Sequence, residues 1–344
     1  MPELTPDQIA AWPKAELHVH LDGSLRPATM VDLAARQGKL DRLPARDAAG
    51  LRTAVRAIDD AGSLEGYLAF FDLTLVLMQT PDALKRVASE FIEDVARENV
   101  RYVEVRFSPL LHTAEGMTYE HVVDAVLEGL TEAGGRCGVE FGLIICALRG
   151  KHADESLQMA QLAVAHHHRG VVAFDLAGPE AGHPARAHLE SFYHARNNLM
   201  ALTIHAGESW GPSSIRQALF YCGAHRIGHG IAAVQDPELL DYLVLHQIPL
   251  EVCPTSNVQT QVAPDFARHP LKQLVEAGAQ VSVNTDSRLF STDTLSEELY
   301  RAHARCGLTA AQVRECVRNG FRSAFLPASK KHTYLDQLEK AFSA

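Results

Sequence analysis

The sequence predicts an α/β protein whose eight parallel strands close into a TIM-type (β/α)8 barrel. Three observations indicate this fold. Eight short apolar runs recur along the chain, and segments with helical periodicity separate them. The apolar runs read as strands buried on both faces, which is typical of parallel sheets. Polar residues stand at the ends of several of these strands, the edge at which such barrels carry their chemistry.

The length of the chain, 344 residues, suits one large barrel with insertions, so we expect a single domain over residues 1–344. An open doubly wound sheet is the alternative architecture. It is disfavoured because no glycine-rich dinucleotide-binding loop follows the first strand, where Asp22-Gly23-Ser24-Leu25 stands instead.

The first strand lies in AELHVHLDGS at 15–24. Side chains two residues apart in an extended strand point the same way, so His18 and His20 stand about 6.6 to 7 Å apart on one face. Asp22 has the same parity. Two imidazoles can converge on one metal ion, but a catalytic site needs further ligands from other strands.

The segment after the first strand departs from the regular alternation. A helix is predicted over 26–37, with Ser24 as a possible N-cap and Gly38 at its end. Residues of about 40–79 are then expected to form extra helices. Within them, SLEGYLAFF at 63–71 is rich in aromatic residues, and it is interpreted either as core packing or as a lid over a pocket.

From residue 81 onward each predicted helix is followed by a strand. The helices cover 81–99, 118–134, 153–168, 184–198, 213–222, 237–246 and 270–278. The strands cover 100–107, 139–146, 171–176, 201–205, 226–229, 248–253 and 280–286. Three further helices, at 295–306, 310–325 and 333–342, are expected to pack outside the barrel.

The composition excludes several function classes. The formal net charge is −10, from 32 basic and 42 acidic residues, and no basic stripe is present, so we expect no nucleic-acid partner. The sequence has no apolar run of about 18 residues and no secretory signal pattern, which predicts a cytoplasmic protein without a membrane partner. The six cysteines form no Cys-x-x-Cys pair, which favours reduced thiols.

The polar residues at the predicted strand ends converge on one rim of the barrel. His18, His20, His205 and Asp286 supply three imidazole nitrogens and a carboxylate, a donor set for one divalent ion. Zinc is the expected ion, although iron, cobalt and manganese suit the same donors. Such an ion lowers the pKa of a bound water towards 7 and so makes hydroxide available.

Three further residues complete the candidate chemistry. Glu208 follows His205 by three residues and can serve as general acid and base, or it is a first-turn acid of the next helix. His229 is either another nitrogen ligand or an electrostatic partner of the hydroxide. Gly178 allows the backbone to approach a ligand closely.

Six segments, in this order and spacing, resemble the adenosine deaminase family of the amidohydrolase superfamily. They are AELHVHLDG at 15–23, VRYVEVRFSP at 100–109, FDLAG at 174–178, TIHAGE at 203–208, RIGHG at 226–230 and NTD at 284–286. The resemblance implies hydrolytic deamination of adenosine or 2′-deoxyadenosine to the 6-oxo product and ammonia, through a metal-bound hydroxide.

The resemblance also implies roles for individual residues. It makes His18, His20, His205 and Asp286 the ligands of one zinc ion. Glu208 becomes the proton donor to purine N1, and His229 orients the hydroxide.

The substrate contacts are implied in the same way. Gly178 would contact purine N3 and Asp22 the ribose. Tyr67, Leu68 and Phe71 match a hydrophobic gate, which favours the lid interpretation.

One position departs from the family pattern. Ser287 stands where many members have a second aspartate, whose side chain binds purine N7. A hydroxyl donates to N7 directly but reaches less far. The substrate is therefore open between adenosine, aminodeoxyfutalosine and adenine. An inactive metal-binding barrel is the hypothesis outside the enzyme class, and the presence of Glu208 argues against it.

Overall fold

The computed structural model of the chain describes residues 4–291 and 294–343. Within these ranges eight parallel strands follow one another in chain order around a barrel. They are Lys14–His20 (β1), Val100–Phe107 (β2), Glu140–Leu148 (β3), Val171–Ala177 (β4), Ala201–Ala206 (β5), Arg226–His229 (β6), Leu250–Val252 (β7) and Val281–Val283 (β8). The predicted (β/α)8 barrel is confirmed.

Helices connect the strands and cover the outside of the barrel. In the described residues they are Pro6–Ala11 (α1), Pro27–Arg36 (α2), Ala48–Val55 (α3), Leu64–Leu68 (α4), Asp72–Leu75 (α5), Pro81–Arg97 (α6), Tyr119–Cys137 (α7), Ala153–Ala165 (α8), Leu189–Asn197 (α9), Pro212–Phe220 (α10), Pro237–Leu245 (α11), Pro254–Gln259 (α12), Leu271–Glu276 (α13), Arg288–Ser291 (α14), Leu295–Ala304 (α15), Ala310–Ser323 (α16) and Ala328–Ser343 (α17). None of them is long and apolar enough to cross a membrane. The three helices predicted at the C-terminal end are α15 to α17.

The barrel closes where the chain beyond β8 meets β1. The backbone N–H of Asp286 donates to the carbonyl of His18 at 3.0 Å, and the N–H of His20 donates to the carbonyl of Asp286 at 2.6 Å. The side-chain oxygen of Asn284 accepts from the N–H groups of Leu17 and His18, at 2.8 and 3.2 Å. Closure therefore carries the ends of β1 and β8 to the same point.

Two details differ from the sequence predictions. β8 is shorter than predicted because the chain leaves the ladder before Asp286, whose φ of 63° is in the left-handed region. Ser24 does not cap α2, so that prediction was wrong. Its hydroxyl donates to the His20 carbonyl at 2.6 Å, and the helix begins at Pro27 without a side-chain cap.

The predicted extra helices after β1 are α3 to α5. Ser63 caps α4 by accepting from the N–H of Gly66. A Cβ at Gly66 would lie 2.2 Å from the carbonyl oxygen of Ala61, so this close approach requires glycine. The aromatic rings of α4 and the following turn then pack on Phe290, with centroids 5.8 Å away for Tyr67 and 5.1 Å away for Phe71. This contact holds the insertion over the end of β8.

Candidate metal centre and active site

Four donor side chains meet at the carboxyl ends of β1, β5 and β8. The ring nitrogens of His18, His20 and His205 all lie within 4.8 Å of one another. The Nε2 atoms of His20 and His205 are 3.2 Å apart. Oδ1 of Asp286 lies 3.6 Å from Nε2 of His18 and 3.4 Å from Nε2 of His20. The structure thus brings together the four residues predicted as metal ligands.

The three separations of 3.2, 3.4 and 3.6 Å are those of neighbouring ligands on one ion. Two donors that each lie 2.0 to 2.1 Å from an ion are about 3.3 to 3.4 Å apart at the tetrahedral angle. Nε2 of His18 is buried and has no hydrogen-bond partner among the described residues. A buried polar nitrogen without a partner is costly, and a metal ion would satisfy it.

Carboxylates behind two of the histidines fix the tautomers that a metal needs. Nδ1 of His18 donates to Glu251 at 2.9 Å, and Nδ1 of His205 donates to Asp175 at 3.0 Å. Each bond leaves an Nε2 lone pair facing the centre. Burial and the neighbouring His205 and His18 lower the pKa of His20 to about 3, against the opposing effect of Asp286, so the His20 imidazole is neutral.

One guanidinium joins the two supporting carboxylates. Arg106 donates from Nη1 to Asp175 at 2.9 Å and from Nη2 to Glu251 at 2.7 Å, and all three side chains are fully buried. Burial alone would raise the pKa of Glu251, but Arg106 and Arg226 hold it well below its usual range. Arg106 therefore contributes to keeping both acceptors ionised, together with His205 at Asp175 and Arg226 at Glu251.

Another carboxylate positions Glu208. Glu180 accepts hydrogen bonds from four successive backbone N–H groups, those of residues 207 to 210, at 2.5 to 3.0 Å. Glu208 is thereby fixed at the cavity wall. Its burial, together with the charges of Asp286 and Glu180, raises its pKa well above the usual value. A raised pKa favours the protonated form of a carboxyl group, the form that can serve as a general acid.

His229 presents an N–H to the same space. Nδ2 of Asn257 donates to Nδ1 of His229 at 3.1 Å, so the ring proton is on Nε2, which lies 3.7 Å from Oε2 of Glu208. Burial and the neighbouring His18 lower the pKa of His229 well below its usual range. Its φ of 60° is left-handed, like that of Asp286. We interpret His229 as a neutral donor.

A cavity of about 300 Å³ opens from this centre. The predicted substrate contacts among its lining residues are Asp22, Tyr67, Leu68, Phe71 and Gly178. Gly178 has a φ of 95°, which favours glycine. Ser287 is not among the described residues that line the cavity. It is fully buried, and a Cβ at Gly23 would lie 2.6 Å from its Oγ.

Several residues that shape the centre were not predicted as site residues. Glu251 accepts a hydrogen bond from His18, and Glu180 accepts one from the backbone N–H of Glu208. Gly228 leaves space for the His18 ring, because a Cβ at position 228 would lie 3.0 Å from its Cε1. A charged residue between Leu250 and Val252 of an apolar strand was a usable signal for Glu251. Nothing in the sequence around Glu180 distinguishes it from a surface loop acid.

A second grouping of donors replaces two histidines by Cys253. Its sulfur, with donor atoms of His18 and Asp286, forms a set within 4.8 Å. Burial and the charge of Asp286 raise the pKa of the Cys253 thiol well above its usual value. A thiol binds a metal as its thiolate, so this set requires a deprotonation that burial disfavours and that the three-histidine set avoids.

Comparisons with known proteins agree with this geometry. The sequence model of the family described as "Adenosine deaminase" matches residues 13–341. The adenosine deaminase of Mycobacterium marinum is 42% identical over 352 aligned positions, covering 98% of this chain and 96% of that protein.

Two solved structures are similar over nearly the whole fold. The adenine deaminase of Arthrobacter aurescens has a TM-score of 0.90 and 28% identity, covering 97% of this chain and 100% of that one. A Burkholderia ambifaria amidohydrolase with bound zinc has a TM-score of 0.85 and 25% identity, covering 99% of this chain and 95% of that one. The family match and these identities are sufficient to classify the protein: the chain belongs to the adenosine deaminase family.

Proposed function

We propose that the protein is a hydrolytic deaminase of 6-aminopurine nucleosides, acting on adenosine and 2′-deoxyadenosine with one zinc ion per chain. The observation that carries the proposal is the position of Glu208, a buried carboxyl group with a raised pKa, on the wall of the cavity that His20, His205 and Asp286 also line. The 42% identity to an adenosine deaminase supports the same reaction.

The metal ligands supply the nucleophilic half of the reaction. When bound, a divalent ion at His18, His20, His205 and Asp286 would activate water for attack on an electrophilic carbon. The zinc in the Burkholderia ambifaria structure supports this choice of ion. Nε2–H of His229 is available to orient the nucleophile through a hydrogen bond.

Glu208 supplies the acidic half. Addition at C6 places electron density on N1 of the purine, and a proton delivered there by Glu208 stabilises the adduct. The carboxylate left behind can accept a proton from the nucleophile and return it to the leaving amine. Glu180 accepts four hydrogen bonds from backbone N–H groups of the loop that carries Glu208. This loop is therefore held in place, and little reorganisation accompanies proton transfer from Glu208.

Asp22 favours a substrate with a free sugar hydroxyl. Its side chain is buried in the cavity wall, and Oδ1 has no hydrogen-bond partner among the described residues. A sugar hydroxyl can donate a hydrogen bond to this oxygen, whereas a phosphate group at the same position would be repelled by the carboxylate of Asp22. A nucleoside is therefore preferred to a nucleotide, and free adenine has no hydroxyl to offer to Asp22.

A panel of substrates tests the proposal. Ammonia release would be measured for adenosine, 2′-deoxyadenosine, adenine, AMP and aminodeoxyfutalosine, with zinc content determined by elemental analysis. We expect the two nucleosides to give the highest kcat/KM and about one ion per chain. Activity at least about a hundredfold higher on aminodeoxyfutalosine would overturn the substrate assignment, and ammonia from none of the five would overturn the reaction.

A further inference from the structure

Of the three gate side chains, Tyr67, Leu68 and Phe71, only Tyr67 carries a polar group, its phenol. Leu68 and Phe71 present only apolar atoms to the cavity, and Asp72 beside them also lines it. Tyr67 is 3% exposed, and its hydroxyl has no hydrogen-bond partner among the described residues. A buried hydroxyl without a partner costs free energy, which a phenylalanine at this position would avoid. The phenol O–H is therefore available to donate to a hydrogen-bond acceptor of a bound ligand.

The hydroxyl of Ser287 lies close to the phenol of Tyr67. It is buried and also lacks a hydrogen-bond partner in the part of the chain described. Burial, Asp286 and Glu208 all raise the pKa of Tyr67, whereas the nearby Ser287 hydroxyl lowers it. Tyr67 lines the cavity, and Ser287 lies against Gly23, so only the phenol is in position to meet a ligand.

Tyr67 and Glu208 approach the cavity from different sides. The ring of Tyr67 packs on Phe290, which follows β8, at a centroid distance of 5.8 Å. Glu208 follows β5, which is three strands away from β8 in the barrel order. In a 6-aminopurine, N1 lies on one side of C6 and N7 on the other. A purine whose N1 faces Glu208 therefore turns N7 towards the wall that contains Tyr67.

We propose that the Tyr67 phenol, supported by the Ser287 hydroxyl, donates a hydrogen bond to N7 of the bound purine and so determines which ring systems this chain accepts. The inference rests on the proposed function. N7 has a lone pair and no proton, so it is matched by an O–H donor. With a purine bound, the Ser287 hydroxyl would donate to the phenol oxygen, and the phenol would donate to N7 of the ring. Ser287 acts through Tyr67 and does not itself touch the purine.

The test compares adenosine with 7-deazaadenosine, in which a C–H replaces N7. We expect Tyr67→Phe to lower kcat/KM for adenosine about 2- to 10-fold, the range for loss of one neutral hydrogen bond, and to leave the value for 7-deazaadenosine unchanged. Ser287→Ala should have a smaller effect, and the double variant should be no worse than Tyr67→Phe alone. Tyr242→Phe on α11, outside the barrel, is the matched control.

A binding measurement keeps this inference separate from the proposed reaction. Dissociation constants for inosine and 7-deazainosine need no turnover, and Tyr67→Phe should weaken only the first. If adenosine is not deaminated but this selective loss is observed, the reaction is wrong and the Tyr67 contact stands. Equal losses for both ligands, or additive losses in the double variant, would overturn the Tyr67 proposal.

Discussion

Replacement of Arg106 by methionine should damage both the stability of the barrel and its affinity for metal. The substitution keeps much of the side-chain length but removes the cation that faces Asp175 and Glu251, both fully buried. It also removes the donor to the Leu17 carbonyl at 2.6 Å. Two ionised carboxylates would then lie in the core without this common partner.

The magnitude follows from this loss. Breaking a buried ion pair by removing one partner costs about 3 to 5 kcal/mol. A chain of 344 residues has an unfolding entropy of about 0.7 kcal/mol/K near its midpoint, so Tm should fall by about 4 to 7 °C. Because the same carboxylates hold the Nδ1–H groups of His18 and His205, metal affinity should fall by about 10- to 100-fold.

The assay combines thermal unfolding of the metal-free protein with a zinc titration against a chromophoric chelator. Arg106→Lys keeps the charge, but a single ammonium lacks the planar fork that joins both carboxylates, so we expect a smaller loss of Tm with a clear loss of affinity. Arg97→Met is the matched control, since that side chain is 69% exposed in a surface pair. Zinc affinity within about twofold of wild type in Arg106→Met, despite a lower Tm, would refute the positioning role.

The other predictions concern Glu180, Glu208 and the metal ion. Glu180→Gln replaces the carboxylate that accepts four backbone N–H hydrogen bonds by an amide that has an N–H of its own. The kcat/KM for adenosine should fall at least about tenfold while the metal content stays unchanged, and unchanged kinetics would contradict the role of Glu180. Glu208→Gln should retain the metal and lose turnover. Because the folded-state pKa of Glu208 is raised, the unfolded chain loses this proton first as pH rises above about 4.5, and the fold loses stability. The metal-free Gln variant should therefore exceed wild type in Tm at pH 8 but not at pH 4, and an equal difference at both values would show that the raised pKa is wrong. Chelation should lower Tm, because Nε2 of His18 then lacks a partner, and added zinc should restore it together with activity.

The barrel and the convergence of the candidate metal donors were predictable because their signals are local. Strand runs such as 100–107 and 226–229 coincide with β2 and β6. The i, i+2 parity of His18 and His20 requires only an extended backbone. Functional residues of such barrels lie at the carboxyl ends of the strands. This rule was enough to place His205 and Asp286 near His18 and His20.

The supporting residues could not be predicted because their partners are distant in sequence. Glu251 lies 233 residues after His18, and only the closed barrel brings the two together. Ser287 illustrates a different limit: its place beside Asp286 predicts proximity to the cavity, but whether the hydroxyl faces the ligand depends on its packing against Gly23. Depth within a packed wall is not encoded in strand parity.

The left-handed backbone at His229 and Asp286 has a consequence for directed evolution. A non-glycine residue held at φ of 60° or 63° costs about 1 to 2 kcal/mol, and glycine there is nearly free of strain. Selection for thermal stability alone would therefore enrich glycine at these two positions. Each selected variant would lack the side chain of His229 or Asp286 in the candidate site. Libraries for a thermostable variant should keep both codons fixed and draw their gains from the outer helices.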